Sequence, residues 1–244
     1  MHALEIATQN FEQHLRNNPY PGRGLVIGRS AVDDAWLLLY WIMGRSDNSR
    51  NRRFVIEDGT MLKTEPVNPT LVADPSLIIY EAMLELPGLY LVSNGDQTRT
   101  LYDMLASGGN FQAAMAMRER EPDAPNYTPR ITGLLDLRES YAQLTLGLLK
   151  ANPFNPALTD RFIYRPASPP AGFGVGLTTY ASDGSPLPSF AGDPLVLPLQ
   201  GNAQAVLNAY WDALNPDNRI SLALKRISAA GEPGELLVRN RFGA

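Results

Sequence analysis

Leu89-Tyr-Leu-Val-Ser-Asn-Gly-Asp-Gln-Thr-Arg-Thr-Leu-Tyr-Asp-Met-Leu-Ala106 passes from strand to helix within one short stretch. Residues 89–93 are apolar and end in serine, as a covered strand does, and Asn94-Gly95-Asp96 is the junction that opens a helix over 97–106. Upstream, residues 77–86 form a strand joined to 89–93 across Pro87-Gly88. Downstream, Gly108-Gly109 precedes a second helix over 111–120, after which residues 131–137 and 141–149 return to strand. Two helices in mid-chain between groups of strands, with many strand runs apolar throughout, point to an α+β fold whose sheets are covered on both faces.

Working outward, residues 3–17 read as an amphipathic helix stopped by Asn17-Asn-Pro-Tyr-Pro-Gly22. Strands follow over 23–29, 35–43, 53–57 and 60–65, the last two joined by an Asp58-Gly59 hairpin turn. Further strands are expected over 161–165, 174–180 and 195–199, a helix over 202–214, and a closing hairpin from 220–227 and 235–239. With 244 residues, 44% of them apolar, and no linker or repeat, the expectation is one domain, 1–244, with an N-terminal helical extension over 1–18.

Composition removes whole classes of chemistry. The chain has no cysteine, so disulfides, thiolate nucleophiles and cysteine-ligated metals are out. Its two histidines, His2 and His14, lie in the N-terminal segment and read as frayed or solvated, so histidine triads and histidine-zinc sites lack parts. No basic start leads into an apolar run as in a signal peptide. The longest apolar run, 35–43, is nine residues against the ~20 needed to cross a bilayer. A cytoplasmic chain with no membrane partner is expected.

The formal net charge of −4 argues against nucleic-acid binding. The charge is nevertheless uneven. Between Arg16 and Arg53 there are seven arginines against three acids, which concentrates guanidinium groups, the side chains best shaped to grip phosphate. Gly24-xxx-Gly28-Arg29-Ser30 is one residue short of a Walker A loop and has Arg in place of its Lys, so it is read as a strand rather than a phosphate loop. Gly172, Gly174 and Gly176 likewise read as close backbone packing.

Three polar segments could carry chemistry. Gly44-Arg-Ser-Asp-Asn-Ser-Arg-Asn-Arg-Arg53 gathers Arg, Ser and Asn donors after an apolar strand, as a phosphate clamp would. Ser93-Asn94-Gly95-Asp96 offers free backbone N–H groups at a helix start, with Gly95 permitting close approach of a ligand. Glu121-Pro-Asp-Ala-Pro-Asn-Tyr-Thr-Pro-Arg130 is stiffened by three prolines and presents Glu121, Asn126, Tyr127, Thr128 and Arg130.

Taken in order, Gly22-Arg23 through Gly28-Arg29, the Gly44-Arg-Ser loop with Arg50 and Arg52, Asp74-Pro-Ser-Leu-Ile-Ile-Tyr80, Val92-Ser-Asn-Gly-Asp-Gln-Thr98 and Asn126-Tyr-Thr-Pro-Arg-Ile131 resemble the archaeal-type IMP cyclohydrolase family. A looser likeness surrounds Thr178-Thr-Tyr180. The resemblance implies a four-layer αββα sandwich like that of N-terminal-nucleophile hydrolases, without their self-processed terminal nucleophile. It also implies a cyclohydrolase, acting on carbon–nitrogen bonds of cyclic amidines, that interconverts the formylated aminoimidazole carboxamide ribotide (FAICAR) and inosine monophosphate (IMP) plus water in purine biosynthesis. On it, Tyr80, Glu121 and Arg50 or Arg52 are the candidate catalytic residues. Arg23, Arg29, Arg45, Asn94, Gly95, Asn126, Tyr127, Thr128 and Arg130 are the candidate substrate-binding residues. The partner is a small-molecule purine nucleotide, no metal or cofactor is expected, and a homo-oligomer is left open. Two other classes stay open: a nucleotide amidohydrolase of the same fold with a different substrate, and a non-catalytic nucleotide-binding module.

Overall fold

The computed structural model of the protein describes residues 2–72, 75 and 78–242. Among them the chain is mixed α and β, built on two large antiparallel sheets. The seven-stranded sheet runs in sequence order: β3 (Arg53–Glu57), β4 (Met61–Glu65), β5 (Glu81–Leu86), β6 (Leu89–Ser93), β7 (Arg130–Asp136), β8 (Gln143–Ala151) and β9 (Thr159–Tyr164). The six-stranded sheet has the order β11 (Leu195–Pro198), β10 (Phe173–Thr178), β1 (Gly24–Arg29), β2 (Trp36–Met43), β12 (Arg219–Ile227), β13 (Pro233–Asn240).

The apolar runs follow from burial on both faces. In β6, Tyr90 and Val92 point into the core between the sheets. Leu89 and Leu91, of opposite parity, pack with Leu101, Phe111, Ala114 and Met115 in a second core. That second core lies under α3 (Gln97–Ala106) and α4 (Phe111–Ala116). On the six-stranded sheet, Trp41 meets Tyr210 of α5 (Ala203–Ala213), and Phe11 of α1 (Ala3–Phe11) meets the same ring edge-on. Helices therefore cover the outer face of each sheet, and no helix among the described residues is long and apolar enough to cross a membrane.

Close backbone packing explains the glycines that mimic nucleotide motifs. Gly28 pairs with Gly174 across β1 and β10. A Cβ on Gly28 would lie 2.3 Å from Gly174 Cα and from the Phe173 carbonyl oxygen, both backbone atoms that cannot swing aside. Gly28→Ala is accordingly expected to cost about 1–3 kcal/mol by overpacking, read as a lower urea midpoint at unchanged slope.

Several boundaries differ from the sequence reading. The helix over 3–17 is α-helical only to Phe11 and continues as a π-helical turn over Glu12–Arg16. Residues 47–50, read as loop, form a one-turn helix, α2 (Asp47–Arg50), because Ser46 and Ser49 cap each other reciprocally. The helix expected to reach Arg120 ends at Ala116, where Arg118 turns to pair with Asp96. Of the strand expected over 77–86, Leu77 lies outside the described residues, as do Asp74 and Ser76 of the resembling stretch. The strand itself starts at Glu81, since Ile78 and Ile79 donate back to the Pro75 carbonyl in a turn.

Candidate functional site

The ends of several elements meet at one end of the two sheets around a cavity of about 310 Å³. Tyr20, Gly22 and Arg23 enter it just before β1, and Met43, Arg45, Ser46, Asn48, Ser49 and Arg52 follow β2. Ile78 precedes β5, Glu121, Asp123, Asn126 and Thr128 precede β7, and Tyr180 and Leu187 follow β10. Residues far apart in sequence are joined because adjacent antiparallel strands bring their ends to a common edge.

Arg23 and Glu121 form a two-pronged ion pair in the cavity wall. Nη1 lies 3.0 Å from Oε1 and Nη2 donates to Oε2 at 3.0 Å, with the side chains only 8% and 5% exposed. Arg23 Nη1 also donates to the Asn94 carbonyl at 3.2 Å, and the Arg23 backbone N–H donates to Thr179 Oγ1 at 3.0 Å. Burial alone would push the guanidinium pKa down, but Glu121 and the phenols of Tyr80, Tyr40 and Tyr180 outweigh it and hold it well above its usual value. Arg23 is therefore a fixed cation. Each Glu121 oxygen still has a lone pair to offer a ligand N–H.

Arg52 is the other buried cation lining the cavity, 7% exposed. Its Nε donates to the Ser49 carbonyl at 2.9 Å, and among the described residues neither terminal nitrogen has a hydrogen-bond partner. Arg45 stacks over the Tyr20 ring, 4.9 Å from its centroid, and pairs with Asp183 outside the cavity. Burial pushes the Tyr20 phenol pKa up, against the pull of Arg52, Arg23 and Arg45. Arg23 is paired with Glu121 and Arg45 with Asp183, so Arg52 is the cavity guanidinium without a carboxylate partner among the described residues.

Not every candidate reaches this cavity. Arg50 turns away, its Nε donating to the Gly44 carbonyl at 3.1 Å and Nη2 to the Asp217 carbonyl at 3.4 Å. Two residues along, the chain has left the α2 turn and presents Arg52 instead. Arg29 sits at the far end of β1, roughly 20 Å from Arg23 along an extended strand. There it pairs with Asp34 and stacks on Trp36, so it cannot share a ligand with Arg23. Both candidates thus lie outside this cavity.

Tyr80 is buried beside the site but does not line the cavity. Its hydroxyl lies 2.6 Å from that of Tyr40, and its backbone N–H donates to Thr64 Oγ1 at 3.0 Å. Asn94 is fully buried and ties the junction together. Its Oδ1 accepts from Ile131 N at 2.8 Å and Gln97 Nε2 at 2.9 Å, and its Nδ2 donates to the Pro129 carbonyl at 2.8 Å. Arg130 donates to Asp96 Oδ1 at 2.8 Å and Gln97 Oε1 at 2.7 Å, and a Cβ on Gly95 would lie 2.5 Å from Arg130 Nη1. Gly95 thus makes room for this chain's own arginine. Tyr127, at φ 44°, lies under the Arg120 guanidinium, 4.3 Å from ring centroid to cation.

Arg23, Arg45, Arg52, Glu121, Asn126 and Thr128 are brought together from the sequence candidates. Tyr20 and Asp123 join them without having been singled out. Tyr20 was hidden in a helix-stop signal and Asp123 in a proline-stiffened loop. Among the described residues, no three or more His, Cys, Asp or Glu side chains gather as metal ligands do.

A protein-family model described as IMP cyclohydrolase-like protein matches residues 20–231. The chain belongs to the IMP cyclohydrolase-like family. That span begins at Tyr20 and takes in every residue that lines the cavity. A comparison with curated proteins found no match. Membership points to a hydrolase-type enzyme with a function related to IMP cyclohydrolysis.

Proposed function

We propose that this IMP cyclohydrolase-like protein interconverts FAICAR and IMP plus water, with the nucleotide held in the cavity before β1 and β7. The observation that carries this reading is the pairing, in one cavity, of a buried arginine with unpartnered ends and a fixed Arg23–Glu121 pair. Arg52 and Arg45, with the Ser46 and Ser49 hydroxyls near them, hold the phosphate. Arg23 and Glu121 face the reacting groups, while Asn126 holds the base or ribose. The cavity volume falls at the lower end of the range for small-molecule sites. Helices outside both sheets support reading the fold as the four-layer αββα sandwich of N-terminal-nucleophile hydrolase type.

The chemistry suits such a site. A carboxamide nitrogen is a poor nucleophile and a formamide carbon a modest electrophile, so closure depends on alignment, on stabilising the developing oxyanion, and on moving protons as water leaves. Arg23 supplies a preorganised cation for the oxyanion, and Glu121 accepts N–H groups of the base. Tyr80 acts at one remove, with its hydroxyl engaged by Tyr40 behind Arg23.

The test is ultraviolet absorbance of purified protein mixed with FAICAR in the presence of a chelator, since ring closure creates the purine chromophore. Catalysed appearance of IMP is expected. A folded protein that binds IMP yet leaves FAICAR untouched would sink the reading and favour a different ring substrate or a non-catalytic module.

A further inference from the structure

Asp123, Thr128 and Tyr180 form a connected chain along one wall of the cavity. The Thr128 hydroxyl lies 2.5 Å from Asp123 Oδ2 and 2.6 Å from the Tyr180 hydroxyl. The Thr128 backbone N–H donates to Asp123 Oδ1 at 2.7 Å, which fixes the carboxylate against the threonine. Tyr180 is held on its other side by Tyr20, with ring centroids 6.0 Å apart and planes at 21°. All three residues line the cavity.

Counting protons gives the chain a direction. A carboxylate only accepts, and a threonine hydroxyl has one proton to give. Thr128 therefore donates to Asp123, and its oxygen is left to accept from Tyr180. The phenol proton is thus committed toward Thr128 and away from the cavity. Burial pushes the Tyr180 phenol up to about 12, so it carries that proton at neutral pH. What its oxygen offers the cavity is lone pairs, and the ligand group beside it must be a donor.

We infer that Tyr180 is the catalytic proton acceptor for the attacking nitrogen of the substrate, and that Thr128 and Asp123 act through it as the relay that receives the proton. The inference rests on the FAICAR reading. As the carboxamide nitrogen attacks, the new C–N bond forms and the carbonyl π pair moves to the formyl oxygen, where Arg23 meets the charge. The nitrogen's proton passes to the Tyr180 oxygen, the Tyr180 proton to Thr128, and the Thr128 proton to the Asp123 carboxylate. One proton leaves the substrate and one arrives at Asp123. Its return through the same chain to the oxyanion gives the neutral carbinolamine from which water departs.

The unaltered protein and Asp123→Asn, Thr128→Val, Thr128→Ser and Tyr180→Phe are assayed for FAICAR closure and, by calorimetry, for IMP binding. Asp123→Asn is the sharpest probe. Its Oδ1 still accepts from the Thr128 N–H, but its amide now donates to the Thr128 hydroxyl, which reverses the chain and turns the phenol proton into the cavity. Asp123→Asn, Thr128→Val and Tyr180→Phe are each expected to lower kcat about 100-fold or more with IMP affinity kept, while Thr128→Ser retains kcat. The relay is overturned if Asp123→Asn or Thr128→Val keeps kcat, if Thr128→Ser loses as much as Thr128→Val, or if IMP affinity falls in step with kcat. Those outcomes leave the FAICAR reading standing. Absence of closure by the unaltered protein overturns that reading and the proton assignment with it.

Discussion

Arg23→Met is expected to lower the unfolding free energy by about 3–5 kcal/mol in urea titration and to abolish FAICAR closure, because it leaves a buried carboxylate without its cation. Glu121 is 5% exposed as a side chain, and both of its oxygens are engaged by the one guanidinium. The Asn94 carbonyl, which accepts from Arg23 Nη1, loses a partner as well. The double replacement Arg23→Met with Glu121→Leu separates the two consequences. Exchanging both members of a buried pair for apolar side chains is often close to neutral, so the double variant should recover most of the lost stability and none of the turnover. A double variant no more stable than Arg23→Met alone would show that the loss does not come from the uncompensated Glu121 carboxylate.

The same pair shows what could be read along the chain and what could not. Arg23 and Glu121 were both candidates, yet nothing in their surroundings announces that they touch, since 98 residues separate them. Local structure was far more legible. The strands at 53–57 and 89–93 and the helix at 97–106 have the expected bounds, because turn residues and caps stop each apolar run sharply. The seven-stranded sheet was also within reach, as its strands are joined in sequence order. The six-stranded sheet was not: β10 inserts between β11 and β1, a pairing no local signal encodes.

That pairing decides the cavity's far wall. Thr179 and Tyr180 follow β10, and they face Arg23 and Thr128 only because β10 lies beside β1. Tyr180 therefore stood out in the sequence only through a loose likeness, with no chemistry attached. Asn94 and Arg130 illustrate the converse. Polar residues at a strand–helix junction resemble ligand-binding groups, and here Asn94 engages the Pro129 carbonyl and the Ile131 N–H while Arg130 engages the Asp96 and Gln97 side chains and the Glu119 carbonyl. Polarity in a sequence marks where hydrogen bonds are needed, and the fold decides whether the chain or a ligand supplies them.

The loop after β2 poses that question most sharply, since Arg50 and Arg52 differ by one half-turn of chain and by little else in sequence. Arg50 spends its donors on the Gly44 and Asp217 carbonyls. Among the described residues Arg52 spends only Nε, on Ser49, and its terminal nitrogens are left for an anion. Arg52→Ala is therefore expected to weaken IMP binding by about 2–5 kcal/mol, roughly 30-fold to several thousandfold in Kd, the cost of truncating one partner of a desolvated charge pair. Arg50→Ala should leave Kd close to that of the unaltered protein. Inosine, which lacks the phosphate, provides the internal control: its binding, measured by the same calorimetry, should be indifferent to Arg52→Ala. If inosine and IMP lose affinity equally, Arg52 contacts the base or ribose, and the phosphate must be placed on Arg45 or Arg23. If Arg50→Ala proves as damaging as Arg52→Ala, the α2 turn rearranges when nucleotide binds, and the clamp is built by the ligand rather than waiting for it.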